Sequence, residues 1–190
     1  TFIQKMYPYH PLDVKVYVAV YGWLVFIIDD KTGSIVKDVE EFQQRFFSNV
    51  SQQNALLELF AVTLKQTHDH YDPITARFIV LSSLAFVNIC LLETRREYQA
   101  MSAKRGGEKL AYRFRDKEGI CEVYAYFCFP KAKCPDISVF LQAIPDMCIL
   151  INYINDLFSF YKEELAEDMK NYIHKRAGYD RKDVADRIQT

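Results

Sequence analysis

The chain has 190 residues, enough for a substantial core in a single domain spanning 1–190. Half of the residues are hydrophobic and 15% are aromatic, and six Gly and six Pro, mostly between periodic segments, argue against a β-sandwich or a disordered chain. The net charge of −1, with no basic block, argues against a nucleic-acid partner.

In chain order, the first dozen residues, including Tyr7-Pro8-Tyr9-His10-Pro11, are proline-broken. A buried helix is predicted from about Leu12 to Asp30, closed by Asp29-Asp30-Lys31-Thr32-Gly33. Its apolar run, Val14 to Ile28, falls short of the ~20 residues that span a bilayer, so no membrane span is expected. Helices follow over about Ile35 to Asn49 and Gln52 to His68. Asp72-Pro73 is a helix start, a capping oxygen followed by Pro at the first helical position, and the helix it opens is predicted to reach Met101. Another begins near Glu108, breaks at Gly119 and continues to Phe129. A long helix from about Ile137 to Glu167 should be kinked or divided at Pro145. A final short helix is placed near Asp180. No segment has a strand period, so the reading is all-α. His68 and His70 flank Asp69 beside a polar loop and read as surface residues.

The five cysteines, Cys90, Cys121, Cys128, Cys134 and Cys148, are odd in number and lack C-x-x-C spacing. Together with the absence of a signal-peptide pattern, they lead to the expectation of a reduced, cytoplasmic protein.

The chemistry concentrates in the long helix. Asn155, Ser159 and Glu163 lie four residues apart, and each step of four advances a helical side chain only ~40°, so the three oxygens form one stripe. An amide oxygen, a hydroxyl and a carboxylate are hard ligands suited to Mg²⁺. The neighbours Ile151, Ile154, Leu157, Phe158 and Phe160 are apolar, which predicts a largely buried helix. A buried polar stripe costs free energy unless something binds it.

The run Asn155-Asp156-Leu157-Phe158-Ser159-Phe160-Tyr161-Lys162-Glu163 resembles the Asn/Ser/Glu magnesium motif of class I terpene synthases. With Glu164 behind it, it is most similar to fungal sesquiterpene synthases of the trichodiene synthase type. Two further matches stand in the family's order. Asp29-Asp30 resembles the aspartate-rich motif, with Gly33 where the family usually has an acidic residue; Asp29 is the metal ligand this implies. Arg115 lies 40 residues before Asn155, where the family carries its diphosphate-sensing Arg. Glu118 and Gly119 fill the linker and effector positions that follow it. Arg113 is the competing candidate for the sensor.

The resemblance implies an incomplete class I helical bundle that ionises a linear prenyl diphosphate, farnesyl diphosphate above all. It implies Mg²⁺, three ions with the bound diphosphate, held by Asp29, Asn155, Ser159 and Glu163. Arg115 and Lys162 would grip the diphosphate, with Glu118 and Gly119 beside them. Phe26 and Phe86 are the candidate aromatic walls of the cavity. Family members normally carry further helices before the Asp pair and after the Asn/Ser/Glu helix, ending in an Arg-Tyr pair that Arg187-Ile188 does not supply. A fragment or short form is therefore expected. It is either an enzyme core or an inactive helical module that binds diphosphate or pairs with itself, as a homodimer would. A chain-elongating prenyltransferase would carry a second Asp-rich motif in place of the Asn/Ser/Glu stripe.

Overall fold

A computed structural model describes residues 2–102, 104, 106, 107, 109–165 and 172–180, those at 2, 163 and 180 by backbone alone. Among them are ten α-helices and no strand. They are α1 (Phe2–Met6), α2 (Leu12–Lys31), α3 (Val36–Phe47), α4 (Ala55–His70), α5 (Pro73–Glu93), α6 (Arg96–Gln99), α7 (Lys109–Glu118), α8 (Cys121–Phe127), α9 (Ile144–Leu165) and α10 (Tyr172–Asp180).

Local chemistry sets the boundaries. Asn54 caps α4 by accepting from the Leu56 N–H at 3.0 Å. Asp72 caps α5 by accepting from the N–H groups of Ile74 and Thr75, with Pro73 opening the helix as the sequence predicts. The predicted continuation of α5 to Met101 does not form. It stops at Glu93, where the Thr94 hydroxyl bonds back to the Leu91 carbonyl at 2.8 Å, and α6 starts afresh after Arg95. The long helix also starts later than expected. Two 3-10 turns cover Ile137–Val139 and Leu141–Ala143, and α9 begins at Ile144. Pro145 therefore sits in the first turn, where its missing N–H has no partner to lose, and it opens the helix instead of kinking it. The short helix expected near Asp180 falls mostly on 181–190, outside the described residues.

One contiguous core joins α2, α3, α4, α5, α8 and α9. Phe127 of α8 is its centre. That ring meets Tyr21 edge-on at 5.0 Å and Tyr71 face-on at 5.6 Å, with Tyr17 and Tyr124 also at edge contact. Buried tyrosine hydroxyls find partners, as they must. Tyr17 shares a hydrogen bond with Thr67 at 2.7 Å and Tyr21 one with Ser83 at 2.6 Å, so α2 is tied to both α4 and α5.

Two helices expected to be buried are buried on one side only. On α2, Leu12, Val16, Val20, Trp23 and Phe26 are exposed; on α9, Leu150, Ile154, Leu157, Phe158, Tyr161 and Leu165 are. Apolar composition marked both helices as core, but no described element covers these stripes. α5 is the one described helix long and apolar enough to cross a membrane, and half of that apolar window is buried in the core.

Candidate functional site

α7, the break after it and α9 assemble the centre of the site. Arg115 projects from the inner side of α7 and is only 8% exposed. Its Nε–H donates to Asp156 Oδ1 at 2.5 Å. One Nη donates to Asn155 Oδ1 at 2.7 Å and to the Asn152 carbonyl at 3.4 Å. A guanidinium withdrawn from water requires such partners, and charge-assisted bonds to a carboxylate are the strong ones.

Gly119 makes this approach sterically feasible. A Cβ there would lie 2.6 Å from Asn152 Oδ1 and closer still to Arg115 Nη1. The break itself is Gly119-Ile120. The Gly119 N–H closes the last turn of α7 on the Arg115 carbonyl, and Ile120 adopts φ +47° before α8 begins. A β-branched residue in the left-handed region is rare, and here it holds two helices at a fixed angle around the arginine.

The Asn155, Ser159, Glu163 stripe lies on uninterrupted helix, since α9 runs from Ile144 to Leu165. Ser159 Oγ is buried and has no hydrogen-bond partner. Asn155 Oδ1 is held by Arg115. The side chain of Glu163 lies outside the described residues. Among the described residues no group of three His, Cys, Asp or Glu side chains surrounds a common point. The stripe is a different donor set: hard oxygens of three chemical kinds on one helix face. An orphaned buried hydroxyl one turn beyond an amide oxygen fits a hard cation such as Mg²⁺. Lys162, in the last turn of α9, is exposed.

Asp29 ends α2 in an exposed position and receives a contact from the Cys90 thiol at 3.7 Å. Glu118 is the last residue of α7. Burial pushes the Glu118 carboxyl up to about 7, opposed by the Lys175 ammonium, and Glu93 raises it further. Arg115 and Asp29 both act on the same carboxyl, with opposite signs. Behind it, Lys175 of α10 lies 3.8 Å above the ring of Phe114, which stacks on Tyr98, and 3.7 Å from Glu93.

The remaining candidates separate. Phe86 is 1% exposed and belongs to the closed core, whereas Phe26 is 66% exposed on the outer surface. Arg113 points away from Arg115 and lines an open groove with Lys109, Tyr112, Tyr153, Tyr172 and Arg176. His68 is exposed, but His70 is half-buried, its ring tilted against that of Tyr17 at 4.8 Å and 3.4 Å from Asp13. Asn152 was not singled out from the sequence. It stands three residues before Asn155 and seven before Ser159, the spacing of one helix face, and that period was the available signal.

Comparison with known proteins identifies the family. The family model for trichodiene synthase matches residues 2–180. Terpene synthase BipA of Cochliobolus sativus is 44% identical over 172 residues, covering 90% of this chain and 52% of its own length. Longiborneol synthase CLM1 of Gibberella zeae is 39% identical over 183 residues, 95% of this chain and 54% of its own. An (E)-beta farnesene synthase of Metarhizium brunneum is 31% identical over 172 residues, 88% and 52% respectively. The chain thus spans about half the length of the curated relatives it matches. A match of the family model over nearly the whole described length leads to one assignment: the chain belongs to the trichodiene synthase family.

Proposed function

We propose that the chain carries the diphosphate-ionising core of a Mg²⁺-dependent terpene cyclase acting on a linear prenyl diphosphate, with farnesyl diphosphate as the substrate. The observation that supports this most is the bond from Arg115 to Asn155, which joins a phosphate-gripping side chain to the first ligand of the metal stripe. Asp29, Asn155, Ser159 and Glu163 would hold the metal. When bound, Mg²⁺ supplies positive charge against the oxygens of the departing diphosphate.

The chain's own residues do the rest. Arg115 offers a planar fork of N–H donors to phosphate oxygens, and Asp156 fixes its rotamer. Asn155, whose side-chain oxygen accepts from Arg115, would be one of the residues that hold the metal, so the diphosphate grip and the metal site would share a residue. Gly119 lets the guanidinium sit close to the backbone of the break, and Glu118 ends α7 just before it. Lys162 adds a cation at the rim. Donors positioned in advance stabilise the charge that develops as the C–O bond breaks, without a strong acid.

The test is incubation with farnesyl diphosphate and Mg²⁺, reading pyrophosphate release and extracted hydrocarbon. Both should appear. Their absence, with no Mg²⁺-dependent binding of pyrophosphate either, would overturn the reading.

A second reading has its own support in the exposed apolar stripes of α2 and α9. A chain that buries these stripes against another copy would bind diphosphate or self-associate without turnover. Binding without hydrocarbon, together with a dimer by light scattering, selects it.

A further inference from the structure

Two cysteines lie on facing helices beside the Arg115 contact. Cys121 opens α8, two residues after Gly119, and is fully buried. Cys148 is in the second turn of α9 and is 8% exposed. Both are free thiols of the same buried cluster, and α8 packs along α9. Asn152, one turn beyond Cys148 on the same face, donates its Nδ2–H to Cys121 Sγ at 3.3 Å. The carbonyl of that asparagine is the one that accepts from Arg115. The other cysteines have different surroundings: Cys90 contacts Asp29, and Cys128 the Tyr124 carbonyl.

We propose that Cys121 and Cys148 are a redox modification site, a dithiol that closes to a disulfide and joins α8 to α9 next to the Arg115–Asn152 contact. The oxidant is a small-molecule disulfide such as glutathione disulfide. Cys148 is the attacking group: it is the more exposed thiol, and its interaction with Cys121 lowers it from the ordinary thiol value. Having lost its proton to solvent, its sulfur bonds to one glutathione sulfur and expels the other glutathione as thiolate. Cys121, raised by its interaction with Cys148 and by burial, gives up its proton second. Asp116 Oδ1, 3.5 Å from Cys121 Sγ, is placed to take it. The Cys121 sulfur then displaces the bound glutathione from Cys148. Two thiols have lost two protons and two electrons, and one glutathione disulfide has become two glutathione molecules.

The proposal does not depend on the chain's activity, and neither does its test. The folded protein is treated with glutathione disulfide, quenched with acid, denatured, alkylated and mapped by mass spectrometry without reduction. The expected result is a Cys121–Cys148 linked peptide, with alkylatable cysteines falling from five to three. Cys121→Ser should instead accumulate a glutathione adduct on Cys148, and Cys148→Ser should give neither the link nor an adduct on Cys121. Circular dichroism checks that both variants fold. Full alkylation of Cys121 and Cys148 after treatment of the folded protein, or a link that forms only in denaturant, would overturn the proposal.

Discussion

Arg115 donates a 2.7 Å hydrogen bond to Asn155, so the helix break at Gly119 and the polar stripe of α9 are mechanically one unit. Neither residue can move without the other losing a partner. Replacing Arg115 by Lys keeps the charge but loses the planar fork that reaches Asp156 and Asn155 together. Arg115→Lys is expected to weaken Mg²⁺-dependent pyrophosphate binding at least tenfold, equivalent to about 1.4 kcal/mol or more. Titration calorimetry of the two proteins measures it.

Gly119→Ala tests the close approach. Its methyl group would intrude on Asn152 Oδ1 and Arg115 Nη1, forcing the guanidinium off Asp156 or opening the break. Overpacking of this kind costs about 1–3 kcal/mol. A urea melt should show the loss, and the variant should bind pyrophosphate more weakly. A variant with wild-type stability and binding would mean that the break has room to spare.

Glu118 gives the site a pH dependence. Its carboxyl is raised to about 7 from an ordinary 4.5, so the folded state holds the proton over a range where the unfolded state has lost it. Stability from this group therefore falls as pH rises from 4.5 towards 7 and levels off above that. Glu118→Gln removes the buried charge and should stabilise the protein at pH 8, on the order of 1–3 kcal/mol. At pH 4.5 the gain should be much smaller. Thermal melts at the two pH values read the difference.

Phe127 tests the core independently of the site. The ring is fully buried and touches four tyrosines. Phe127→Ala should cost about 3–5 kcal/mol through the cavity it leaves. The denaturation midpoint reports it.

Much of this arrangement was legible in the sequence because it is periodic or capped. The stripe at Asn155, Ser159 and Glu163, the Asp72-Pro73 helix start and the break at Gly119 depend on local chemistry alone. What was not legible depends on distant partners. α5 stops at Glu93 because Thr94 turns its hydroxyl back on Leu91, and α9 opens at Pro145 because two 3-10 turns precede it. Leu157 and Phe158 read as buried from composition, yet they are 64% and 81% exposed because no described element reaches that side of α9. Lys175 of α10, 3.7 Å from Glu93 and acting on Glu118, illustrates the same limit, since nothing near it in sequence signals the carboxylates it meets.

The most direct measurement is a calorimetric titration of pyrophosphate into the chain with and without Mg²⁺, repeated on Glu163→Gln and Asn155→Ala. Saturable binding that requires Mg²⁺ and is lost in both variants is the result predicted by a metal stripe coupled to Arg115. Binding that ignores Mg²⁺, or that survives both substitutions unchanged, would contradict it.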